Sequence, residues 1–205
     1  MLSKKEVDAA IREKFRVKKR DIPPFTGWLK PSSRNDLWDL LGTLEQFEIG
    51  AEIGVQRGKN ALQMLQRMPN IQKLFLVDPW IKYSNWTQDK MEARYQQTVD
   101  CLEPHLGATG NAEIVRKTSM EAVREFADEK LDFVYIDGFH DFDWVMPDII
   151  FWAQKVRSGG IVAGHDYYQF YRAGITTAVD AYVKAHNITQ WYITREMEPT
   201  WFWVK

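Results

Sequence analysis

The chain has 205 residues, 45% of them hydrophobic and 27% charged, which is enough apolar material for one α/β domain with a proper core. Its 27 basic and 28 acidic residues give a formal net charge of −1, so no strong positive field draws in nucleic acid. A single cysteine excludes an intramolecular disulfide framework and cysteine-only metal sites. No apolar run approaches the roughly 20 residues of a membrane span, and the N-terminus lacks the apolar core of a signal peptide. We therefore expect a soluble cytoplasmic protein without membrane or nucleic-acid partners.

Residues 1–45 are predicted to form a helical N-terminal extension or cap. Many charges and one thin apolar stripe predict a solvated helix over residues 3–20. A second helix is expected to begin after one of two adjacent serines, Ser32 or Ser33, because serine is a favourable N-cap. In the loop between them, Trp28 is interpreted as a staple that holds the extension to the core, and a lid over a ligand is the alternative.

From residue 48 to the end of the chain, short apolar runs alternate with helical patterns. Several runs are continuously apolar, as expected for parallel strands that are covered on both faces. The last two strands are joined by only residues 195–198, too short for a parallel crossover, and are predicted to form an antiparallel hairpin. The predicted fold over 46–205 is a doubly wound, Rossmann-like, mostly parallel seven-stranded sheet that ends in this hairpin. The predicted strands are 48–53, 73–78, 112–116, 131–136, 160–164, 189–194 and 199–204, and the helices are 58–68, 85–104, 119–128, 141–156 and 171–186.

The first of these strands leads through a glycine-containing turn into a helix. Such a turn presents backbone N–H groups and the positive end of the helix to a ligand, and glycine lets the ligand come close. The spacing Glu52-x-Gly54-x-x-x-Gly58 differs from the Gly-x-Gly-x-x-Gly of dinucleotide enzymes. A carboxylate at this strand end suits a ligand with a cationic amine better than a bare pyrophosphate. Asn60, in the first turn of the helix, belongs to the same candidate site.

The second strand ends in Asp78, followed by Pro79 and Trp80. Asp78 lies about 20 residues beyond Gly58, the interval at which doubly wound folds place a carboxylate on ribose hydroxyls. We predict ribose binding there, with a helix N-cap as the alternative. Trp80 either stacks on the base of the ligand or packs in the core, and the sequence leaves this open. Ser119, after the third strand, is a good N-cap.

Another buried strand ends in Asp137, and His140 follows on the same loop. Strand ends at this edge of a parallel sheet face the ligand crevice. A carboxylate and an imidazole three residues apart can act as a metal ligand and a general base, and imidazole titrates near working pH. We therefore predict catalytic roles for Asp137 and His140. An N-cap aspartate beside a surface histidine is the structural alternative.

The next strand places His165 and Asp166 at the same edge. Oxygen ligands from Asp137 and Asp166 suit Mg²⁺ or another hard divalent ion. His165 is a candidate third ligand, which would favour a softer ion such as Mn²⁺, Fe²⁺ or Zn²⁺, or it holds the loop by a hydrogen bond. The predicted metal set is Asp137, His165 and Asp166.

Four blocks together resemble a known group, the class I S-adenosylmethionine-dependent methyltransferases related to macrocin-type and mycinamicin-type sugar O-methyltransferases, with cephalosporin hydroxylase-like proteins as relatives. The blocks are Glu52-Ile-Gly54-x-x-x-Gly58, Val77-Asp78-Pro79-Trp80, Tyr135-Ile-Asp137-Gly-x-His140 and Gly159-Gly-Ile-Val-Ala-Gly-His165-Asp166-Tyr167. The resemblance covers roughly residues 48–168. His165 departs from it, because the related sugar methyltransferases often carry an acidic residue there.

The resemblance implies S-adenosylmethionine as the cofactor, with its methionine part surrounded by Glu52, Gly54 and Gly58 and its ribose held by Asp78. It also implies that Ser119 and Met120 face the adenine edge. Asp137 and Asp166 would hold a divalent metal, and His140 would deprotonate a metal-bound hydroxyl of the substrate.

The leading hypothesis is a metal-assisted O-methyltransferase that acts on a small hydroxylated acceptor such as a sugar or glycoside. One alternative is an iron-dependent oxygenase that resembles the cephalosporin hydroxylase-like relatives and uses the two histidines with a carboxylate as ligands. Another is a cofactor-binding subunit without chemistry of its own. A nicotinamide oxidoreductase fits least, because the glycine spacing and the terminal hairpin both differ from those of such enzymes. The sequence leaves open whether the protein is a homo-oligomer.

Overall fold

The computed structural model describes residues 2–18, 21–26, 32–168 and 174–205, and these form one sheet of eight strands with helices on both faces. The strands are β1 (Phe25–Thr26), β2 (Ile49–Ile53), β3 (Lys73–Val77), β4 (Ala112–Val115), β5 (Leu131–Ile136), β6 (Val156–Gly164), β7 (Trp191–Ile193) and β8 (Trp201–Val204). The α-helices are α1 (Lys4–Lys14), α2 (Arg34–Thr43), α3 (Lys59–Arg67), α4 (Gln88–Leu102), α5 (Ser119–Ala122), α6 (Phe142–Lys155) and α7 (Gly174–Ala185).

The strand order is β1-β7-β8-β6-β5-β2-β3-β4. All neighbours from β6 to β4 run parallel, whereas β8 lies antiparallel between β6 and β7. The predicted seven-stranded, mostly parallel sheet with an antiparallel hairpin at its end is confirmed. The N-terminal segment adds one strand that the sequence did not predict, since β1 pairs in parallel with β7 through only two residues. A strand this short has no periodic pattern for the sequence to display.

Two hydrophobic layers cover the two faces of the sheet, which explains the continuously apolar strands. Along β5, Phe133 and Tyr135 belong to one layer, and Val134 and Ile136 belong to the other. Successive side chains of a strand point to opposite faces, so a strand buried on both sides is apolar at every position. Helices α1 to α4 contribute to the first layer, and α5 to α7 contribute to the second.

The N-terminal extension shares the core of the sheet. Val7 and Ile11 of α1 and Trp38 of α2 are fully buried in the first layer. The helix predicted over 3–20 ends earlier, at Lys14, because Arg16 adopts a left-handed conformation with φ 54° that a helix does not continue through. Residues 19–20 of that prediction lie outside the described residues, as does Trp28 with both of its proposed roles. The division at residues 45 and 46 stays a prediction.

Of the two helix starts for which a serine cap was predicted, one changes in the structure. Thr118, rather than Ser119, is the N-cap of α5, because the Thr118 hydroxyl accepts from the Glu121 N–H and the Glu121 carboxylate accepts from the Thr118 N–H. Helix α2 begins after Ser33, whose N–H donates to Asp36 at 2.9 Å, in agreement with the predicted serine cap. The first residues of the helix predicted over 171–186 lie outside the described part. Within that part, no helix is long and apolar enough to cross a membrane.

Asp132 lies at the start of β5, at the end of the sheet opposite to the crevice. Its carboxylate links β5 to neighbouring segments by hydrogen bonds. Its carboxylate accepts from the backbone N–H groups of Glu48 and Ile49 at 2.8 and 2.7 Å and from the Arg157 guanidinium at 2.6 Å. We expect Asp132→Ala to lower the free energy of unfolding by about 2–4 kcal/mol, because two amides and a nearly buried cation lose their partner. Chemical denaturation measures this change.

Asp128→Ala is the matched control, since the Asp128–Lys155 ion pair has an aspartate that is 67% exposed. Exposed pairs contribute little, so the free energy of unfolding of this variant should change by less than about 1 kcal/mol. Equal losses in the two variants would contradict the assigned role of Asp132.

Candidate active site

The C-terminal ends of neighbouring parallel strands lie in register at one edge of the sheet. Ile53 of β2 pairs with Val77 of β3 and with Ile136 of β5, and Ile136 pairs with Gly164 of β6. The residues that follow these strands therefore meet along one crevice, where doubly wound folds bind their ligands. The predicted site residues brought to this edge are Gly54, Asp78, Asp137, His165 and Asp166.

The turn after β2 needs glycine at both predicted positions. Gly54 and Gly58 have φ values of 89° and 73°, in the left-handed region that favours glycine. A Cβ on Gly54 would lie 2.2 Å from the Asp137 carbonyl oxygen, so a side chain would push the turn away from the end of β5. Gly54 therefore lets the ends of β2 and β5 approach each other, and a Cβ on Gly58 would lie 3.2 Å from the side chains of Thr98 and Leu102.

The Asp78 carboxylate organises the same turn. One of its oxygens accepts from the N–H groups of Val55 and Gln56, each at 3.0 Å, and the other accepts from the Trp80 N–H at 2.8 Å. The sequence predicted that the amides of the turn would face a ligand, but two of them are bound by this carboxylate. A carboxylate has about four lone-pair positions, which leaves room on the second oxygen for one ribose hydroxyl.

Glu52 is a buried carboxylate with one oxygen that lacks a partner. Its side chain is 1% exposed, Oε1 accepts from the Asn60 amide at 2.8 Å, and Oε2 has no partner among the described residues. Burial raises the pKa of Glu52 to about 8; the Asn60 hydrogen bond opposes this shift, and the charge of Asp137 adds to it. A buried carboxylate oxygen without a hydrogen-bond partner is suited to a cationic N–H donor. The primary amine of an amino-acid ligand supplies such a donor.

Trp80 does not face the crevice. It is fully buried, its indole N–H donates to the Gln56 carbonyl at 2.9 Å, and its ring lies edge-on to Tyr95 at a centroid distance of 5.2 Å. The packing alternative is therefore the one observed, and the predicted cofactor-binding role of Trp80 is corrected. The short hydrogen-bonded turn at Asp78 directs the indole into the core.

Ser119 and Met120 lie where the crevice continues beyond β4. The Ser119 hydroxyl donates to Asp148 of α6 and accepts from the Trp152 indole N–H at 2.8 Å. Met120 is half-buried and packs against the second hydrophobic layer. Both residues follow β4 at the start of α5, the hydroxyl of Ser119 is held by protein groups, and the contact of either residue with an adenine stays a prediction.

Two histidines and two aspartates form a cluster at the ends of β5 and β6. Nε2 of His140 lies 3.1 Å from one Asp166 carboxylate oxygen, and Nδ1 of His165 lies 3.2 Å from the other. The same Nδ1 is 3.6 Å from Asp137. The side chain of His140 is 57% exposed, whereas that of His165 is 5% exposed, so His140 is the histidine that an incoming molecule can reach.

The two aspartates of the cluster favour the protonated form of His165. Burial alone would lower the pKa of His165, but the hydrogen bonds and charges of Asp137 and Asp166 raise it to about 10. Burial alone would raise the pKa of Asp166, and the hydrogen bond and charge of His165 lower it below its usual value. The geometry supports the hydrogen-bonding alternative for His165, in which it holds the two carboxylates in place.

The donor set differs from the predicted metal ligands. Asp137, His140 and Asp166 present ligand atoms within 4.8 Å of one another, and His165, Asp166 and Glu198 form a second such group. The first group contains both carboxylates of the predicted set, Asp137 and Asp166. Its imidazole comes from His140 and not from the predicted His165. The two carboxylates fit a divalent ion such as Mg²⁺ or Mn²⁺, and His140 is placed either to join them as a third ligand or to act as the predicted base. To join them as a ligand, His165 has to lose a proton.

Arg34, which the sequence did not indicate, also reaches this region. It is the first residue of α2; its backbone N–H donates to Glu196 at 2.8 Å, and its side chain lies beside the Tyr135 hydroxyl. The opposite charges of Glu196 and Asp137 favour its cationic form. No sequence signal marks it, because it lies outside the matching blocks and meets the site only through the packing of α2.

Aromatic side chains surround the mouth of the cluster. Phe139, next to His140, contacts Tyr83 and Trp144 with ring centroids at 4.9 and 5.4 Å. Phe139 and Trp144 are 43% and 56% exposed. A small pocket between His140 and His165 is walled by Val145, Ile175 and Trp201. The cluster therefore opens onto an exposed aromatic rim.

Comparisons with known proteins agree with the predicted fold. A family model described as a methyltransferase domain matches residues 51–167, more than half of the chain. A search of curated proteins found no match. The O-methyltransferase NovP is 15% identical with a TM-score of 0.63, over 84% of this chain and 79% of that one.

An O-methyltransferase from Bacillus cereus, solved in complex with SAH, is 12% identical with a TM-score of 0.60, over 98% of this chain and 90% of that one. A spermidine synthase from Thermotoga maritima is 17% identical with a TM-score of 0.56, over 84% of this chain and 60% of that one. At these identities the structures support the fold alone.

Proposed function

The chain belongs to the methyltransferase domain family and is a class I S-adenosylmethionine-dependent methyltransferase, and we propose that it methylates a hydroxyl oxygen of a small acceptor. In this proposal a divalent metal ion assists the reaction and His140 is the general base. One observation carries the proposal: among the described residues Oε2 of Glu52 has no hydrogen-bond partner, and it lies close to an acidic and histidine-containing cluster that opens to solvent.

The cofactor fits the residues at the first strand end. The unpaired oxygen of Glu52 would accept from the ammonium group of the methionine part, and the remaining position on Asp78 would accept from a ribose hydroxyl. A dinucleotide fits less well, because Asp78 holds two amides of the turn that would otherwise cradle a pyrophosphate. When bound, S-adenosylmethionine supplies an activated methyl group on a positively charged sulfur.

The cluster at β5 and β6 would prepare the acceptor. Asp166 orients the imidazole of His140 through Nε2, which leaves Nδ1 to take the proton from the acceptor hydroxyl. Asp137 and Asp166 would hold the divalent ion, and such an ion lowers the pKa of a hydroxyl that binds it. The protein then has two tasks, to align the acceptor oxygen with the methyl group and to remove its proton.

The exposed rings beside His140 support an acceptor with a flat or cyclic body. Phe139 and Trp144 offer apolar faces at the mouth of the cluster, where a sugar or glycoside ring can pack. NovP and the Bacillus cereus protein are both described as O-methyltransferases, which agrees with transfer to oxygen. A cytoplasmic location and a small-molecule acceptor remain predictions from the sequence, which leaves the oligomeric state open.

Calorimetric titration with S-adenosylhomocysteine, with and without Mg²⁺ and with NADH as the comparison, tests the proposal. We expect micromolar binding of S-adenosylhomocysteine without metal, since Glu52 and Asp78 make the contacts, and no binding of NADH. Failure of a folded protein to bind S-adenosylhomocysteine in either condition would contradict the assigned cofactor site. Turnover that requires Fe²⁺ and no methyl donor would instead support the oxygenase alternative.

A further inference from the structure

The first residue of α7, Gly174, lies against the loop that carries His140. A Cβ on Gly174 would lie 2.2 Å from the His140 carbonyl oxygen and 2.6 Å from the Phe142 backbone nitrogen, whereas ordinary contact begins at 3.4 Å. Gly174 is helical and its φ does not lie in the left-handed region, so its backbone conformation does not require glycine. The close approach of α7 to the loop is what excludes a side chain at this position.

Helix α7 also holds the loop that carries Asp166. The hydroxyl of Tyr167, the next residue, donates to the Asp180 carboxylate of α7 at 2.7 Å. Ile175 of the same helix walls the small pocket beside His140. The two loops that supply the contact of 3.1 Å between His140 and Asp166 are therefore both fixed to one helix.

We propose that the start of α7 positions the general base and that Gly174 is the positioning residue that permits this. Because Gly174 lacks a Cβ, α7 comes close enough to the loop to hold the His140 imidazole against Asp166. The inference rests on the proposed function, since His140 is the base in that reaction. A Cβ would move the His140 backbone by about 1 Å, the difference between 2.2 Å and the 3.4 Å of ordinary contact. A displacement of that size costs about 10²-fold in rate.

A test that needs no acceptor compares the imidazole ¹⁵N NMR signals of the wild type and of Gly174→Ala. The protein has four histidines, and the signals that are missing in His140→Ala belong to His140. We expect the Nε2 signal of His140 to shift in Gly174→Ala, because its contact with Asp166 is lost. The signals of His105, which contacts Asn111, should stay unchanged. An unchanged His140 signal in a folded Gly174→Ala protein would overturn the proposal.

Turnover tests whether this position matters for catalysis, and it is measured as the formation of S-adenosylhomocysteine from S-adenosylmethionine with a panel of glycosides and phenols. We expect Gly174→Ala to lower turnover by about 10²-fold and to leave the affinity for S-adenosylhomocysteine unchanged. In the His140→Ala background the same substitution should change turnover by less than about threefold, because its effect passes through the base. Thr177→Ala, on the exposed face of α7, is the matched control and should retain wild-type turnover.

The outcomes separate this inference from the proposed function. Equal losses in both backgrounds would overturn the positioning role, since damage to the packing of α7 would then explain them. Unchanged turnover in His140→Ala would overturn the proposed base, whereas unchanged turnover in Gly174→Ala alone would overturn the positioning role and leave the base in place.

Should Gly174→Ala not fold, Tyr167→Phe replaces it, because this variant loses the hydrogen bond to Asp180 and keeps the ring. Its turnover should fall about 3- to 10-fold when His140 is present and stay constant in the His140→Ala background. Wild-type turnover in Tyr167→Phe would overturn the proposal.

Discussion

Replacement of His140 with alanine is expected to lower turnover by about 10²- to 10⁴-fold, the usual contribution of a positioned general base. Its imidazole is exposed at the mouth of the cluster and oriented by Asp166, with one ring nitrogen left for the proton of the acceptor. The affinity for S-adenosylhomocysteine should stay unchanged, because the contacts proposed for the cofactor come from the ends of β2 and β3. Turnover is measured as the formation of S-adenosylhomocysteine from S-adenosylmethionine in the presence of a panel of glycosides and phenols.

His186→Ala is the matched control for this experiment. His186 is exposed after α7 and stacks on Tyr182, with a centroid distance of 4.2 Å. Its loss should leave both turnover and cofactor affinity close to those of the wild type. Unchanged turnover in His140→Ala would remove His140 as the base. A parallel loss of cofactor affinity would place it in the cofactor site instead.

Replacement of Glu52 with glutamine is expected to weaken the binding of S-adenosylhomocysteine by about 10²-fold, because a buried charge pair with the amine is lost.

The pH dependence of the wild-type affinity for S-adenosylhomocysteine also tests the pairing of Glu52 with the amine. Burial raises the pKa of Glu52 in the free protein to about 8, against the opposing effect of the Asn60 hydrogen bond. An ammonium partner favours the ionised form, so binding below pH 8 releases a proton. The wild-type affinity should therefore rise between pH 6 and 8 and then level off.

Titrations in buffers with different ionisation enthalpies measure this proton release directly. Glu52→Gln should release no such proton, since the amide does not titrate. Glu48 lies immediately before β2, the strand that contains Glu52, and Glu48→Gln is the matched control. This variant should retain the wild-type affinity and its rise with pH. A wild-type affinity that is the same at pH 6 and pH 8, without proton release, would rule out the pairing of Glu52 with the amine.

Much of the fold follows from local features of the sequence. Continuous apolar runs at β5 and β6 indicated strands covered on both faces, and the short connection near residues 195–198 required an antiparallel pair. The glycine spacing after Glu52 separated this turn from that of dinucleotide enzymes. These predictions succeed because each constraint acts on residues that are close in sequence. Burial on both faces requires apolar residues throughout a strand, a short connection requires antiparallel strands, and a left-handed backbone conformation favours glycine.

Parts of the candidate site were predictable for the same reason, since parallel strands bring their C-terminal ends to one edge. That rule alone placed Asp137 next to His165 and Asp166, and the structure has them in contact. The rule does not say which side chain takes which hydrogen bond. In the sequence, His165 was either a third metal ligand or a support for the loop, and its burial beside the two carboxylates favours the second role, whereas His140 is exposed.

The sequence by itself thus determined the mostly parallel sheet with its terminal antiparallel hairpin, the glycine-containing turn after β2 and the edge at which the acidic residues and histidines gather. Tertiary structure alone decided that Asp78 binds the amides of the turn, that Trp80 turns into the core and that Arg34 enters the site from α2. It also decided that Asp148 pairs with Ser119. The physical reason is that each polar atom binds the partner that packing brings closest. Such partners are distant in sequence, so a local sequence pattern does not identify them.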